Sequence, residues 1–411
     1  MEPLKHLVIV GGCGHVGLPL GLTLADRGMK VTLLDVDTGK VDLINSGKMP
    51  FMEKGAEALL AKVIGKSLTA SLDPACLQSA DAVITVVGTP VDRHLNPSVN
   101  EIYSSLDQVV HLMKDDSLLI LRSTVYPGVT QLVYDRIRSR RRRIHLAFCP
   151  ERIAEGQALE ELTALPQIVS AFEPEALARA SQLFLLLTPK IIELQPMEAE
   201  LAKLFTNSWR YLNFSISNQF YVLAESYGLD FYRIYDAVTR DYPRMKNFAR
   251  PGFAAGPCLL KDTLQLGAFA RNNFFLGHAA MLINEGLPNF LVDQLRRSGL
   301  SRLRVAILGM AFKAESDDIR ESLSCKLKNL LKVEAAEVLC ADPYVVDPTL
   351  VPAETAIAKA DVVILGAPHG VYKNLVIPEN KTVIDIWNFW PSRESLKSTN
   401  PVNPSMAQVG L

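Results

Sequence analysis

The chain has 411 residues and a formal net charge of -1, with 43 Lys and Arg against 44 Asp and Glu, so no global charge calls for nucleic acid or an anionic membrane. Its 48% hydrophobic content supports ordinary cores, and its length suggests two or three domains. Six scattered cysteines (Cys13, Cys76, Cys149, Cys258, Cys325 and Cys340) offer no CxxC pair for zinc or redox work and read as the reduced thiols of a cytoplasmic protein.

Residues 6–10, HLVIV, form a short apolar run ending at glycines, the pattern of a buried parallel strand. The N-terminal stretch lacks the basic region of a signal peptide, and no run reaches the roughly 18 apolar residues of a membrane span. Residues 15–27 have helical spacing, and KVTLLD (30–35) reads as a second strand. DAVITVV (81–87), SLLILRS (117–123) and HLAFCP (145–150) continue the strands, with helix-length segments at 98–113 and 128–138 between them. This alternation predicts a parallel sheet covered on both faces. From Met197 to Tyr227 neither Gly nor Pro occurs, which predicts one long helix, and the chain stays mostly helical to about 298 apart from the loop 241–257. Strands return at LRVAILGM (303–310), EVLCADP (337–343), DVVILGA (361–367) and TVIDIW (382–387). The expected architecture is α/β: two Rossmann-like doubly wound domains joined by a long central helix and helical connector, with boundaries 1–195, 196–300 and 301–411.

Gly12, Gly14 and Gly17 spell GxGxxG between the first strand and the first helix. Gly12 is expected to permit the tight turn, Gly14 to let the backbone approach a pyrophosphate, and Gly17 to allow close helix–strand packing. Free N–H groups at the helix start would hold the phosphates. Asp35 ends the second strand, where a carboxylate accepts both ribose hydroxyls and repels a 2′-phosphate, so NAD is favoured over NADP. Cys13 reads as a small loop residue. The second α/β segment has Gly309 after a strand but no GxGxxG.

Cys258 precedes the helical segment LLKDTLQLGAFA, where positive potential favours a thiolate, and Asp262 lies one turn on. Lys203 and Asn207 have the same four-residue spacing on the long helix, as do Glu151 and Glu155 in PERIAEG. Paired carboxylates there suit acid–base work or a held water, or are surface carboxylates. Thr124, in RSTVYPG, follows an apolar strand and so sits at the carboxyl edge of the sheet, where doubly wound folds bind ligands.

In order, GGCGHVGLPL, VDLINSGKMPFMEKG, VGTP, STVYPG, PERIAEG, ELAKLFTNSWRYLN, RPGFAAGPCLLKD and LGMAFKAESDDIRES resemble the UDP-glucose/GDP-mannose dehydrogenase family over nearly the whole chain. The resemblance implies NAD-dependent, four-electron oxidation of the C6 alcohol of a nucleotide-linked hexose through a cysteine thioester, in a homodimer formed through the helical region. It assigns Cys258 as nucleophile, surrounded by Lys203, Asn207, Asp262, Thr124, Glu151 and Glu155. Thr89, Thr124 and Arg320 would meet NAD alongside Gly12, Gly14, Gly17 and Asp35. Lys313, Gly256 and Arg244 would meet the nucleotide sugar together with Glu151, Glu155, Lys203 and Asn207, Arg244 from the partner subunit. The chain departs from the family at Ala255, Gly256 and Pro257, where many members carry a glycine pair, at Asn218 and Gln219, where many have Asn-Glu, and in its short C-terminal tail. UDP-glucose, UDP-N-acetylglucosamine, UDP-N-acetylmannosamine and GDP-mannose all fit, with a UDP sugar for a polysaccharide expected. A two-electron hydroxyacid dehydrogenase and a catalytically silent nucleotide-sugar-binding protein are the alternatives.

Other features read as structural. The arginines Arg136, Arg138 and Arg140 to Arg143 read as a solvated helix end rather than a nucleic-acid surface. The stretch 272–286 reads as core packing plus a helix start, and the seven histidines have no metal-ligand spacing.

Overall fold

The computed structural model of the chain describes residues 4–88, 98–253, 256 and 258–390. Two compact units divide it: Met1–Thr206 with Ala268–Asn272, and Asn207–Gly267 with Asn273–Leu411.

The first unit contains an eight-stranded sheet in the order β3-β2-β1-β4-β5-β6-β7-β8. Its strands are β1 (His6–Val10), β2 (Lys30–Leu34), β3 (Leu68–Ser71), β4 (Ala82–Thr85), β5 (Leu118–Leu121), β6 (His145–Phe148), β7 (Gln167–Ala171) and β8 (Ile191–Leu194). Side chains alternate between two cores. Leu7, Ile9, Leu118 and Ile120 enter one; Val8, Leu119 and Leu121 enter the other. Each such fully buried aliphatic side chain contributes roughly 1.5–3 kcal/mol, so both sheet faces must be covered. The expectation of a parallel sheet holds except between β6 and β7, which are antiparallel. The 149–157 loop and the short helix Ala158–Ala164 keep the chain at the carboxyl edge of β6, so β7 starts there and runs back.

The helix predicted over 197–227 spans Pro196–Ser226. Pro196 opens it with a preset φ, and Gly228, at φ +68°, closes it in the left-handed region. Glu200, on its second turn, accepts from Gly128 N (2.6 Å), Thr130 N (2.8 Å) and Thr130 Oγ1 (2.6 Å). This buried carboxylate thereby caps the helix Val129–Ser139 and anchors the connector helix to the segment carrying Thr124.

The second unit contains a four-stranded parallel sheet, β10-β9-β11-β12, from β9 (Arg304–Leu308), β10 (Glu337–Ala341), β11 (Val362–Leu365) and β12 (Thr382–Ile384). Val305 and Ile307 face one core, Ala306 and Leu308 the other. Buried His369 pins the loop after β9: its Nδ1 accepts from Glu315 N at 3.1 Å, so its Nε2–H donates to Asp342 Oδ2, also at 3.1 Å.

Two local expectations change. The 272–286 stretch enters the helix Phe275–Arg297, but only its Gly277, Ala280 and Asn284 face the core, while Phe275, Leu276 and Leu282 are exposed. The arginine cluster is ion-paired rather than merely solvated: Arg136 and Arg140 with Asp107, Arg138 with Glu173, Arg142 with Asp115, and Arg143 with Asp116. Among the described residues no helix is long and apolar enough to cross a membrane.

Glu225, near the end of the connector helix, is pushed up to about 7 by burial and then by the Asp230 charge. The unfolded chain loses this proton near the ordinary glutamate value, so stability falls as pH rises from there through about 7. Glu225→Gln should therefore melt higher than the wild type at pH 8, by on the order of 1–2 kcal/mol after allowing for partial exposure. At pH 4.5 the two should melt together; differential scanning calorimetry at both pH values checks this.

Candidate functional site

The turn after β1 is shaped by four glycines, with roles only partly as expected. Gly11, at φ +76°, supplies the left-handed residue of the turn. Gly12 is required instead for close approach, because a Cβ there would lie 2.6 Å from Ile9 O and 2.9 Å from Leu33 Cα. A Cβ on Gly17 would lie 2.6 Å from Gly12 Cα, so the helix Gly17–Asp26 packs directly on the turn. A Cβ on Gly14 would meet nothing nearer than Gly11 O at 3.8 Å, which leaves an open backbone face. That helix start has neither a side-chain cap nor an acidic first turn, so its positive end is available to an anion.

Asp35 follows β2 and closes the same turn. Its Oδ2 accepts from Cys13 N (2.9 Å), and its Oδ1 from Val36 N (2.8 Å) and Asp37 N (3.2 Å). Three fixed amides orient the carboxylate at the edge where a dinucleotide ribose lies in doubly wound folds. The cradle thus fits a dinucleotide: an open glycine face, an uncapped helix end and an oriented acid. Cys13 is buried, and burial followed by the Asp35 charge pushes its thiol up to about 12, so it is the packing residue expected. Thr89 lies outside the described residues.

The loops after β5 and β6 carry Thr124, Glu151 and Glu155. Residues 150–157 form an irregular loop, so the four-residue spacing of the two glutamates is not a helical one. Glu151 is buried and its carboxylate is engaged on both oxygens. Oε1 accepts from Arg152 N (2.7 Å) and Ile153 N (3.1 Å), while Oε2 accepts from Arg122 Nε (2.8 Å). Arg122, fully buried, also donates to Cys149 O (3.1 Å) and Gln167 Oε1 (3.1 Å), and lies 4.7 Å from the Phe184 ring centroid. Glu53 accepts from Gly156 N and Ala158 N, both at 2.8 Å, and Glu161 from Ala154 N at 2.6 Å. Glu155 rides on this loop, half-buried, as does Thr124 on its own.

In the second unit, Cys258 directly precedes the helix Leu259–Phe269, and its carbonyl accepts from Asp262 N at 2.9 Å. The cysteine therefore sits at the positive end of that helix. It is the one exposed cysteine of the six, all of them described. Asp262 is fully buried and accepts from Asn207 Nδ2 at 2.6 Å, which joins this helix to the connector helix. Lys203, half-buried, lies one turn before Asn207 on that helix. The segment ahead of Cys258 is held by groups that the sequence did not single out for this role. Ser217 Oγ donates to Ala249 O (2.6 Å), and the Asn218 amide bonds both Gly252 N (2.8 Å) and Gly252 O (3.1 Å). Asn284 supports Asn218 at 2.9 Å. Gly256 is at φ +102°, and a Cβ there would lie 2.6 Å from the Phe312 ring.

Lys313 is half-buried with its Nζ 5.6 Å from the Phe312 centroid. Arg320 is exposed and bidentate on Asp318, Nε to Oδ1 at 3.0 Å and Nη2 to Oδ2 at 2.6 Å. Arg244 is exposed, with its guanidinium 5.6 Å from the Tyr242 centroid. The sequence reading missed Arg122, Glu53 and Glu200. Their only signals were a charge ending the apolar run LLIL and acids inside loop or helix motifs.

The two glycines can be separated by experiment. Gly14→Ala should leave the melting temperature within about 2 °C, because nothing of the protein is struck, yet weaken NADH binding about tenfold or more. Gly17→Ala should cost about 1–3 kcal/mol of stability through overpacking. Fluorescence titration with NADH and thermal melts check both.

Sequence comparison places this geometry among known proteins. A model described as the UDP-glucose/GDP-mannose dehydrogenase family, NAD binding domain, matches residues 6–187; the central domain of that family matches 197–285, and its UDP binding domain 306–392. The chain is 26% identical to NDP-N-acetyl-D-galactosaminuronic acid dehydrogenase of Ralstonia nicotianae, covering 94% of this chain and 96% of that one. It is 27% identical to UDP-N-acetyl-D-mannosamine dehydrogenase of Methanocaldococcus jannaschii, covering 90% and 87%. Among solved structures, UDP-glucose dehydrogenase from Pyrobaculum islandicum superposes with a TM-score of 0.87 at 25% identity, covering 96% of this chain and 98% of that one. Three domain models of one family, in order along the chain, account for the dinucleotide cradle, the connector helix and the second sheet: the chain belongs to the UDP-glucose/GDP-mannose dehydrogenase family, as an NAD-dependent oxidoreductase.

Proposed function

We propose that this chain is a cytoplasmic, four-electron 6-dehydrogenase of a UDP-linked hexose, supplying a uronic acid for polysaccharide synthesis. The carrying observation is Cys258, exposed at a helix N-terminus one turn before the buried, Asn207-bound Asp262. The match of 306–392 to a UDP binding domain supports a UDP sugar, and relatives named for UDP-N-acetyl-D-mannosamine and UDP-glucose mark the first substrates to try. In this reading the chain divides functionally at 1–195, 196–300 and 301–411.

NAD, held by the Gly12–Gly17 turn and Asp35 with Thr89 and Arg320, supplies the hydride acceptor. The chain's own residues handle the proton, the carbonyl and the water. As the first hydride leaves C6, the hydroxyl proton passes to a base and Lys203 stabilises the developing oxyanion. The Cys258 thiolate adds to the aldehyde carbon and forms a thiohemiacetal. Loss of the thiohemiacetal's hydroxyl proton to a base and of a second hydride, for which a fresh NAD would replace the spent NADH, leaves a thioester. Water, oriented by Asp262 with Glu151 or Glu155, attacks the acyl carbon; its protons pass through these carboxylates to solvent, the C–S bond breaks, and a carboxylate and a free thiolate result. Asn207, Gly256 and Lys313 hold the sugar nucleotide, while Thr124 meets NAD beside Thr89. Because the carbonyl stays covalently bound, a reactive aldehyde need not escape.

The same reading includes a homodimer through the helical region. An apolar groove of about 990 Å³ runs along the connector helix and the helix Phe231–Thr239, lined by Phe220, Leu223, Tyr227, Ile234, Val238 and Tyr242. So much exposed apolar surface on neighbouring turns favours a partner chain. Arg244, beside this groove, would then serve the partner's sugar nucleotide.

Two NADH per sugar consumed are expected with one member of a UDP- and GDP-hexose panel; one NADH per sugar would overturn the thioester route. Cys258→Ser should lower the four-electron turnover by at least about 1,000-fold and leave NADH binding intact. Sedimentation should give about twice 45.3 kDa, and Leu223→Asp should give the single-chain mass.

A further inference from the structure

We infer that the loop between β9 and the helix Leu323–Glu334 is a strut that joins Lys313 to the backbone ahead of Cys258, and that buried His369 is the positioning residue that sets it. This rests on the nucleotide-sugar dehydrogenase reading, which gives Lys313 and Cys258 their roles, and it assigns work to a histidine outside the reacting set.

The strut begins at a carboxylate given over to structure. Asp342 follows β10 as Asp35 follows β2, but its side chain is fully buried and both oxygens are taken. Oδ2 accepts from Met310 N (2.6 Å), Ala311 N (3.0 Å) and His369 Nε2 (3.1 Å). Oδ1 accepts from Tyr344 N (2.9 Å) and Val345 N (3.1 Å). Burial works against the charge of Asp342, yet the His369 bond and the amides outweigh burial and hold the group at about 2. The carboxylate therefore stays ionised and keeps the Nε2 proton of His369 turned toward it. That leaves the Nδ1 lone pair for Glu315 N, at 3.1 Å. The bond matters because Glu315 sits at φ +53°, in the left-handed region that L side chains disfavour. The Glu315 carboxylate is held as well, by Gly370 N and by the Tyr344 hydroxyl at 3.0 Å.

The same loop meets the cysteine segment. Phe312 N donates to Asp318 O at 2.9 Å, which closes the loop on itself. The Phe312 ring fills the space over Gly256, where a Cβ would lie 2.6 Å from it. Gly256 N also donates to Glu321 O, at 3.5 Å. Gly256 lies two residues before Cys258, and Lys313 directly follows Phe312. The lysine and the cysteine backbone are thus attached to one phenylalanine, three residues from the Glu315 amide that His369 holds. Displacing the loop at Glu315 moves both groups, and His369 is where the second sheet resists that displacement.

The test compares His369→Gln, His369→Asn and Phe312→Leu in the full chain. Gln keeps a donor toward Asp342 and lacks an acceptor at the Nδ1 position. Asn keeps an acceptor there and gives up the Asp342 bond, leaving that carboxylate its amides. Both lose the ring, so the difference between them reads the Glu315 contact. Thermal melts and NADH binding first establish folded variants. Hydrogen exchange of the Glu315 amide is then followed, with the rate at which iodoacetamide alkylates Cys258 in the absence of substrate, read on the Cys258 peptide by mass spectrometry. Last come kcat and KM for the panel sugar that the wild type oxidises. His369→Gln should speed Glu315 exchange about tenfold or more, change Cys258 alkylation about threefold or more, and raise KM about fivefold or more, by a larger factor than it lowers kcat. His369→Asn should recover most of each change. Phe312→Leu should move alkylation and KM by about the same factors while Glu315 exchange stays within about twofold of the wild type. Equal behaviour of Gln and Asn would overturn the role of His369. Faster Glu315 exchange with alkylation and KM unmoved would overturn the strut. So would unmoved alkylation in Phe312→Leu, which decides the matter if His369→Gln does not fold. If the wild type oxidises no sugar, the functional reading fails by itself, and exchange and alkylation still judge the strut.

Discussion

Parallel neighbours cannot be joined by a tight turn; the chain must cross back over the sheet before the next strand begins. Every strand of the central set β2, β1, β4, β5 and β6 therefore ends at the same edge. That constraint gathers segments far apart in sequence. The glycine turn after β1, Asp35 after β2, Thr124 after β5 and Glu155 after β6 all emerge there. The reversal of strand order lies between β1 and β4, which is where such sheets open a crevice for a dinucleotide. The one antiparallel pair, β6 with β7, keeps the Glu155 loop at that edge instead of carrying the chain across.

Holding these loops still is the work of buried polar groups rather than of the cores. Glu200 caps one helix from another, and the Asn218–Asn284 pair holds the backbone ahead of Cys258. Each bond is modest alone. Leaving any such buried donor unmet costs about 1–3 kcal/mol, so the backbone is confined to the path that satisfies them all. Close approach adds a second restraint. Gly252 and Gly256 lie against the rings of Trp387 and Phe312 with no room for a Cβ.

Much of this could be read in advance, for reasons visible in particular residues. HLVIV and LLIL are short apolar runs because a central parallel strand is buried on both faces, and they were found as β1 and β5. The 31-residue helix stood out because no Gly or Pro interrupts its interior. LTAS, QIVSA and IIEL, which form β3, β7 and β8, are not among the runs read as strands, because they are short and carry polar residues. The glutamates 151 and 155 have helical spacing without a helix, because carboxylates satisfy the loop amides in place of an i to i−4 ladder.

The sequence by itself determined the α/β class, the dinucleotide turn, the acid after β2, the cysteine ahead of its helix and the family. All of these are local patterns, in which neighbouring residues must suit one backbone conformation. Only the tertiary structure decided that Gly11 rather than Gly12 takes the left-handed turn. It also decided that Arg136, Arg138, Arg140, Arg142 and Arg143 find carboxylates elsewhere in the chain, and that Arg122 lies wholly buried against Glu151. Burial and partnership are properties of residues distant along the chain, and a charged side chain carries no sign in its own neighbourhood of which distant group will meet it.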